Sequence, residues 1–300
     1  MKRYATLILA VFAVSWAAIL IRLCGAPPLI MSFYRMGIAA LILLPFAGFH
    51  RRQPWLRSRS SVATALGAGL FLGLHFASWI TSLQLTTVAS SVVLVTTTPV
   101  FAAIFSARLL GEKAGRKAWA GIVLSVAGAA LIAWGDYSGA PAVGPRPGAA
   151  LLGDVLAFAG AIFAAAYLTL GRTVRERAPL VGYLVIVYGT GAAAVAAGAL
   201  LRGDRFFRYP PRDWLLFAVM AIVPNLIGHS LLNWAVRRMR TYVVNVAVLG
   251  EPILATIYAI VLFREVPGPV WAAGTLMILS GLLTVFLAER PGVIVEMPPD

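Results

Sequence analysis

TTTPVFAAIFSARLLGE, residues 96–112, recurs in outline as LGEPILATIYAIVLFRE, residues 249–265. At a shift of 153 residues Pro99 falls on Pro252 and Glu112 on Glu265. Continued without a gap, the same register places Gly121 on Gly274 and Gly128 on Gly281. Apolar residues match each other by composition alone. Four coincidences of Gly, Pro and Glu in one register do not, so the chain reads as a duplication. The linker between the copies, Asp136 to Ala149, is rich in Gly and Pro and marks the seam.

Both stretches lie in apolar runs, and such runs recur along the whole chain. The sequence is 60% hydrophobic and 12% charged, against about 45–50% apolar and about 25% charged in soluble domains. The runs fall at 4–23, 28–49, 62–85, 88–107, 117–135, 150–171, 179–201, 213–236, 241–263 and 268–288. Each can cross a hydrocarbon core of about 30 Å as a helix rising about 1.5 Å per residue. Continuous apolarity excludes barrel strands, which alternate. The expected fold is an all-α polytopic membrane protein of ten transmembrane helices. Five spans before the linker and five after it put the second copy into the membrane in the opposite sense, giving two inverted five-helix repeats. The expected boundaries are 1–138 for the first repeat, 139–149 for the linker, 150–290 for the second repeat and 291–300 for a C-terminal tail.

Net charge is +14, which in a soluble protein would suggest nucleic acid. Here the cations gather in short loops, such as Arg51-Arg52 with Arg57 and Arg59, or Lys113 with Arg116-Lys117. They read as topology signals and contacts to lipid headgroups, not as a nucleic-acid surface. With the N-terminus in the cytoplasm, seventeen of the 25 Lys and Arg lie inside and seven outside, Arg35 being within a span. Both termini are therefore expected in the cytoplasm; the arginines from Arg202 to Arg212 dissent. Lys2-Arg3 ahead of the apolar run Tyr4–Leu23 reads as a first span and not a cleaved signal.

Several chemistries are excluded. The single cysteine, Cys24, forms no intramolecular disulfide, and His50, His75 and His229 make no metal-site spacing, so no metal or cofactor is expected. There is no phosphate-binding loop, hence no ATP hydrolysis by this chain. Motifs of intramembrane hydrolases (His-Glu-x-x-His, Gly-x-Ser-Gly, Gly-x-Gly-Asp) are missing; Gly153-Asp154 has Leu151 where the last needs Gly.

The set Pro99…Leu109-Leu110-Gly111-Glu112…Gly121…Gly128, with its echo Glu251-Pro252…Leu262-Phe263-Arg264-Glu265…Gly274…Gly281, resembles the paired signature of EamA-type carriers of the drug/metabolite transporter superfamily. Arg35 within Ser32-Phe33-Tyr34-Arg35 is similar to that family's pattern too, and the second copy departs from it at Arg264. The resemblance spans about residues 5–288. It implies a bacterial inner-membrane carrier that exports amino acids or other small metabolites by alternating access. It leaves the cargo open, and a lipid or lipid-linked flippase remains an alternative, with an intramembrane enzyme behind it.

The binding site of such a carrier is expected near the bilayer midplane, where helices are interrupted. Thr98 with Pro99, and Glu251 with Pro252, stand at mid-depth of the fourth and ninth runs. Each proline frees the carbonyl four residues earlier, either toward a shared polar cavity or merely as a kink relieved by threonine hydroxyls. Glu251 is expected to bind a cationic group or a proton, or else to bond a neighbouring helix. Arg35 is expected to bind a substrate carboxylate, to pair with Glu251, or to reach back to the interface. His75 and Trp79 share a helical face, and Asn225, His229 and Trp234 form a looser stripe; these are the remaining candidate substrate contacts. Trp16, Tyr34, Tyr167 and Tyr188 are candidates to line a pathway, although each taken alone reads as packing. Glu112 and Glu265 stand at helix ends, where a salt bridge or a cap is the expected role. Expected partners are thus a small-molecule substrate, membrane lipids and protons.

Overall fold

The computed structural model describes residues 2–48, 53–86, 88–138, 147–264 and 270–288. His50, Arg51-Arg52, the linker from 139 to 146, Glu265 and the tail lie outside them. Among the described residues all regular structure is helical, and nine helical segments are long and apolar enough to cross a membrane. Large apolar side chains face outward around the bundle, among them Ile8, Leu41, Leu151, Val261 and Leu287. A belt of that size suits lipid, not water. The protein is a multi-pass, all-α integral membrane protein.

Helix α1 (Lys2–Val14) and α2 (Trp16–Leu23) share the first apolar run. They are separated at Ser15, whose hydroxyl donates to the Val11 carbonyl at 2.7 Å, a local competition that bends helices. Helix α3 (Pro28–Leu43) starts on a proline, whose missing N–H costs nothing there. It gives way to a 3-10 turn, Leu44–Phe46, so the helix is shorter than the apolar run to 49 suggests. Helix α4 (Arg59–Leu85) is capped by Ser58, which accepts the Ser61 N–H at 3.2 Å.

The fourth run divides into α5 (Val88–Val95) and α6 (Thr98–Leu109), and α7 (Arg116–Ser138) follows. Helices α8 (Pro147–Arg175) and α9 (Leu180–Arg202) are continuous, the latter ended by Gly203 at φ 73°, the left-handed position glycine favours. The eighth run comprises α10 (Pro211–Met220), a π-helical segment Ala221–His229 and α11 (Ser230–Val236). The ninth divides into α12 (Thr241–Val248) and α13 (Glu251–Phe263), and α14 (Val270–Ala288) is last. The fourth and ninth runs each break just ahead of a proline, leaving Pro99 and Pro252 at the second position of α6 and α13.

Glycines set the closest approaches. A Cβ added to Gly121 would lie 2.7 Å from the Gly281 carbonyl oxygen, and one on Gly128 would lie 2.7 Å from that of Gly274. The glycines matched in the sequence thus meet crosswise, and the order of contacts makes α7 and α14 antiparallel. Gly69 and Gly73 of α4 approach the carbonyls of Val187 and Gly191 on α9, which runs parallel to α4. Gly153 and Gly160 of α8 meet Thr86, just past the end of α4, and Ser78 within it, so the two helices run antiparallel. Without a hydrophobic force between helices in lipid, such backbone-to-backbone packing is the main source of cohesion. Helix α3 packs on α9 and on the π segment, which in turn packs on α1. These elements, with α4 and α8, enclose the middle of the molecule.

Candidate functional site

Arg35, two turns into α3, is fully buried. Its Nε donates to Asn225 Oδ1 at 2.7 Å, and Asn225 Nδ2 donates to the Arg35 carbonyl at 3.3 Å. The guanidinium carbon sits 3.9 Å from the centre of the Phe76 ring, a cation–π contact strengthened by burial. Both terminal nitrogens, Nη1 and Nη2, are buried without a protein hydrogen-bond partner. Buried charged donors are costly to leave unpaired, and a planar pair of N–H groups is shaped for a carboxylate or phosphate.

Asn225 owes its position to the π segment. There the Ser230 N–H bonds back five residues to the Asn225 carbonyl, which also accepts from the Tyr188 hydroxyl at 3.0 Å. One extra residue per turn swings the Asn225 side chain toward α3. Such segments are often found at functional sites. Pro224, inside the segment, is the sequence signal for it, and the apolar pattern alone passes over it.

Aromatic and imidazole rings surround Arg35. His229 meets Phe76 edge-on, with centroids 5.1 Å apart. His75 Nδ1 lies 2.9 Å from the Gly160 carbonyl on α8; a carbonyl only accepts, so that nitrogen carries the proton. The His75 ring is parallel to Trp79, 4° between planes and 6.0 Å between centroids. Trp79 Nε1 and His229 Nδ1 are buried without protein partners. Asn233 on α11 donates to the His229 carbonyl at 2.7 Å and to the Tyr167 hydroxyl. Elements from before and after the linker therefore contribute to one polar centre.

The two helix breaks differ chemically. In the first, the hydroxyls of Thr96, Thr97 and Thr98 donate to the carbonyls of Val93, Leu94 and Val95, at 2.9, 2.6 and 2.7 Å. Thr98 thereby satisfies the carbonyl that Pro99 frees. At the shift of 153, the second break has Leu249, Gly250 and Glu251 in those places, and none carries a hydroxyl. Glu251 stands where Thr98 would. It opens α13, where the helix dipole favours a negative charge. The charges of Glu251 and Arg35 act on one another, and Arg35 also acts on His75 and His229.

Of the residues singled out from the sequence, Arg35, Asn225, His75, Trp79 and His229 come together, with Glu251 in electrostatic reach. Thr98 turns its hydroxyl back across the break, onto the Val95 carbonyl that ends α5. Trp234 lies under the Arg238 guanidinium, 4.0 Å from carbon to ring centre, and so engages the arginine-rich end of α11. Phe76, Tyr167 and Tyr188 join the centre as well, the first with no polar atom to mark it in the sequence and the tyrosines with packing as the simpler reading of each alone. Their signal was weak: Phe76 is apolar, and the tyrosines are single residues on otherwise apolar helices.

A second polar cluster ties helix ends together. Glu112 pairs with Arg172 Nε at 3.2 Å and accepts the Thr241 N–H at 3.0 Å, while Arg172 also donates to the Arg237 carbonyl. It joins the end of α6 to the end of α8 and the start of α12, both a salt bridge and a cap.

The arrangement is a bundle of membrane-crossing helices around a buried arginine whose two terminal nitrogens have no protein hydrogen-bond partner. The sequence matches the EamA-like transporter family over residues 2–134 and again over 151–287. The chain belongs to that family; it is a transmembrane transporter of the drug/metabolite superfamily and not an enzyme. One solved crystal structure superposes with a TM-score of 0.79 over 97% of this chain and 99% of its own, at 20% identity. That likeness is one of fold. No curated protein matches the chain in sequence. Among the described residues no three His, Cys, Asp or Glu side chains gather as a metal site.

Proposed function

We propose that the protein is a secondary carrier that exports a small carboxylate-bearing metabolite of the amino-acid type by alternating access. The observation that carries this reading is Arg35, buried, pinned through Nε by a neutral amide, with both Nη groups unpaired by protein. A substrate carboxylate takes those donors. Glu251, on the other side of the charge balance, takes the ammonium group or a proton, which couples export to a proton or substrate gradient. His75 and Trp79 flank the substrate.

The carrier is read as ten transmembrane helices in two inverted repeats, residues 1–138 and 150–290, with α7 as the tenth span beside the nine. Reciprocal contact of Gly121 with Gly281 and Gly128 with Gly274 supports a two-fold relation between the repeats, since residue pairs exchange as they do across an isologous interface. A bacterial inner membrane with cytoplasmic termini completes the reading.

The test uses purified protein in liposomes loaded with a mixed pool of amino acids and other metabolites, with mass spectrometry of what leaves. The expected result is selective loss of carboxylate-bearing solutes, abolished by Arg35→Gln and by Glu251→Gln. Loss of solutes without a carboxylate, or undiminished loss in the Arg35→Gln protein, overturns the assignment. Folded protein that releases no water-soluble solute turns the reading to a lipid flippase.

A further inference from the structure

We infer that the cleft between α6 and α7 is a binding site for an anionic phospholipid, apart from the transport site. Helix α6 leans on α8 and α12, and α7 on α14 and α5. Between α6 and α7 a cavity of about 350 Å³ remains, open to the surroundings. Its floor is apolar, from Ala103, Ala107 and Ala114 to the ring of Trp119, and its rim carries Arg108 and Lys113. Both cations are exposed.

The acid between them does not neutralise the rim. Glu112 spends one carboxylate oxygen on Arg172 and the other on the Thr241 N–H. The mouth of the cleft is also the start of α7, and that helix begins with Arg116 and Lys117 and has no acid in its first turn. Gly115, which precedes it, has no side chain to cap with. Cations at the positive end of a helix dipole are unfavourable, and an anion there offsets both the dipole and the side-chain charges. A phosphate at the rim with an acyl chain along the alanine floor answers each of these features. Basic pockets between membrane helices bind anionic headgroups for the same reasons, and Trp119, in the first turn of α7 beside Arg116 and Lys117, carries the amphipathic ring that favours an interface.

Binding, not transport, is the readout, so failure here is separable from failure of the carrier reading. Delipidated protein in neutral detergent is titrated with phosphatidylglycerol or phosphatidylcholine and examined by native mass spectrometry. We expect one phosphatidylglycerol retained per chain in preference to phosphatidylcholine. The double variant Arg108→Gln/Lys113→Gln should bind it about thirtyfold more weakly, from roughly fivefold per charge. Arg57→Gln/Arg59→Gln, which removes two exposed charges elsewhere, should bind as wild type, and circular dichroism checks that all proteins are folded. Equal retention of the two lipids, retention that survives the Arg108/Lys113 change, or equal loss in the control pair overturns the inference. So does displacement of phosphatidylglycerol by millimolar inorganic phosphate, which would mark a site for phosphate alone.

Discussion

Asn225 holds Arg35 at both its side chain and its backbone, accepting from Nε at 2.7 Å and donating to the carbonyl at 3.3 Å. The amide orients the guanidinium without neutralising it, and so keeps its charge for a ligand. Asn225→Asp exchanges a neutral bond to Nε for a charge-assisted one but loses the donor that faces the Arg35 carbonyl, so the two changes offset and stability should stay close to wild type. The same change should cut binding of a carboxylate substrate by about ten- to a hundredfold, since it supplies an internal counter-ion worth roughly 1.5–3 kcal/mol. Asn225→Leu should instead destabilise the fold, leaving Nε unpaired at a cost of about 1–3 kcal/mol. Thermal unfolding and substrate titration on the two variants separate these effects; weaker binding and lower stability moving together in Asn225→Asp would make Asn225 a packing residue only.

Glu251 occupies the place that Thr98 fills in the first copy, which suggests a substitution that copies one break onto the other. Glu251→Thr should let a hydroxyl donate to the carbonyl of Val248, as Thr98 does to Val95 at 2.7 Å. It should also remove a mid-membrane carboxylate that costs about 2.5–3.5 kcal/mol on insertion scales. The expected variant is at least as heat-stable as wild type and transports at under about a tenth of its rate, a loss of roughly 1.4 kcal/mol or more. Wild-type transport by Glu251→Thr would remove Glu251 from the site.

The contrast between these two breaks also shows what a sequence exposes. A proline acts on its own backbone, so the interruptions at Pro99 and Pro252 are readable from position alone. The duplication makes Gly121, Gly128, Gly274 and Gly281 readable as equivalent positions, but that Gly121 meets Gly281 and Gly128 meets Gly274 is seen only in the structure. Thr98 is polar at mid-depth and so reads as a site residue, yet a threonine has the carbonyl three residues earlier within reach, and that local bond wins. Trp234 is similar, for Arg238 four residues on claims its face. The π segment is harder. Pro224 announces a disturbance, but the partners that Asn225 meets there, Arg35 and Tyr188, lie 190 and 37 residues away. No periodicity reports on partners at that separation. Phe76 is the extreme case, an ordinary apolar residue whose role comes from the cation above it.

Gly128 and Gly189 are both helical glycines, with opposite expected responses to substitution. A Cβ at Gly128 meets the Gly274 carbonyl oxygen at 2.7 Å, whereas one at Gly189 meets nothing within 4 Å. Gly128→Ala should force α7 and α14 apart at a cost of about 1–3 kcal/mol, as overpacking usually does. Gly189→Ala should be neutral or stabilise by up to about 1 kcal/mol through helix propensity. Unfolding temperatures in a single detergent measure the difference. Equal tolerance at both positions would mean that α7 and α14 do not meet at these glycines.

Cys24, the chain's one cysteine, gives a topology test without engineering. It follows α2 directly, with one apolar segment, Arg3–Leu23, between it and the N-terminus. With cytoplasmic termini it faces outward, and a membrane-impermeant maleimide should label it in right-side-out vesicles. Burial pushes its thiol above the ordinary value; the carboxylate of Asp213 adds to that, while the Ala26 backbone and Arg212 act against it. Because the thiolate is the nucleophile, labelling at pH 7 should be slow and should accelerate about tenfold per pH unit until the raised pKa is reached. Asp213→Asn removes the negative charge beside the thiol and should speed labelling at fixed pH. Labelling that requires permeabilised vesicles, in wild type and Asp213→Asn alike and even at pH 9, would place Cys24 on the cytoplasmic side and reverse the orientation proposed for every helix.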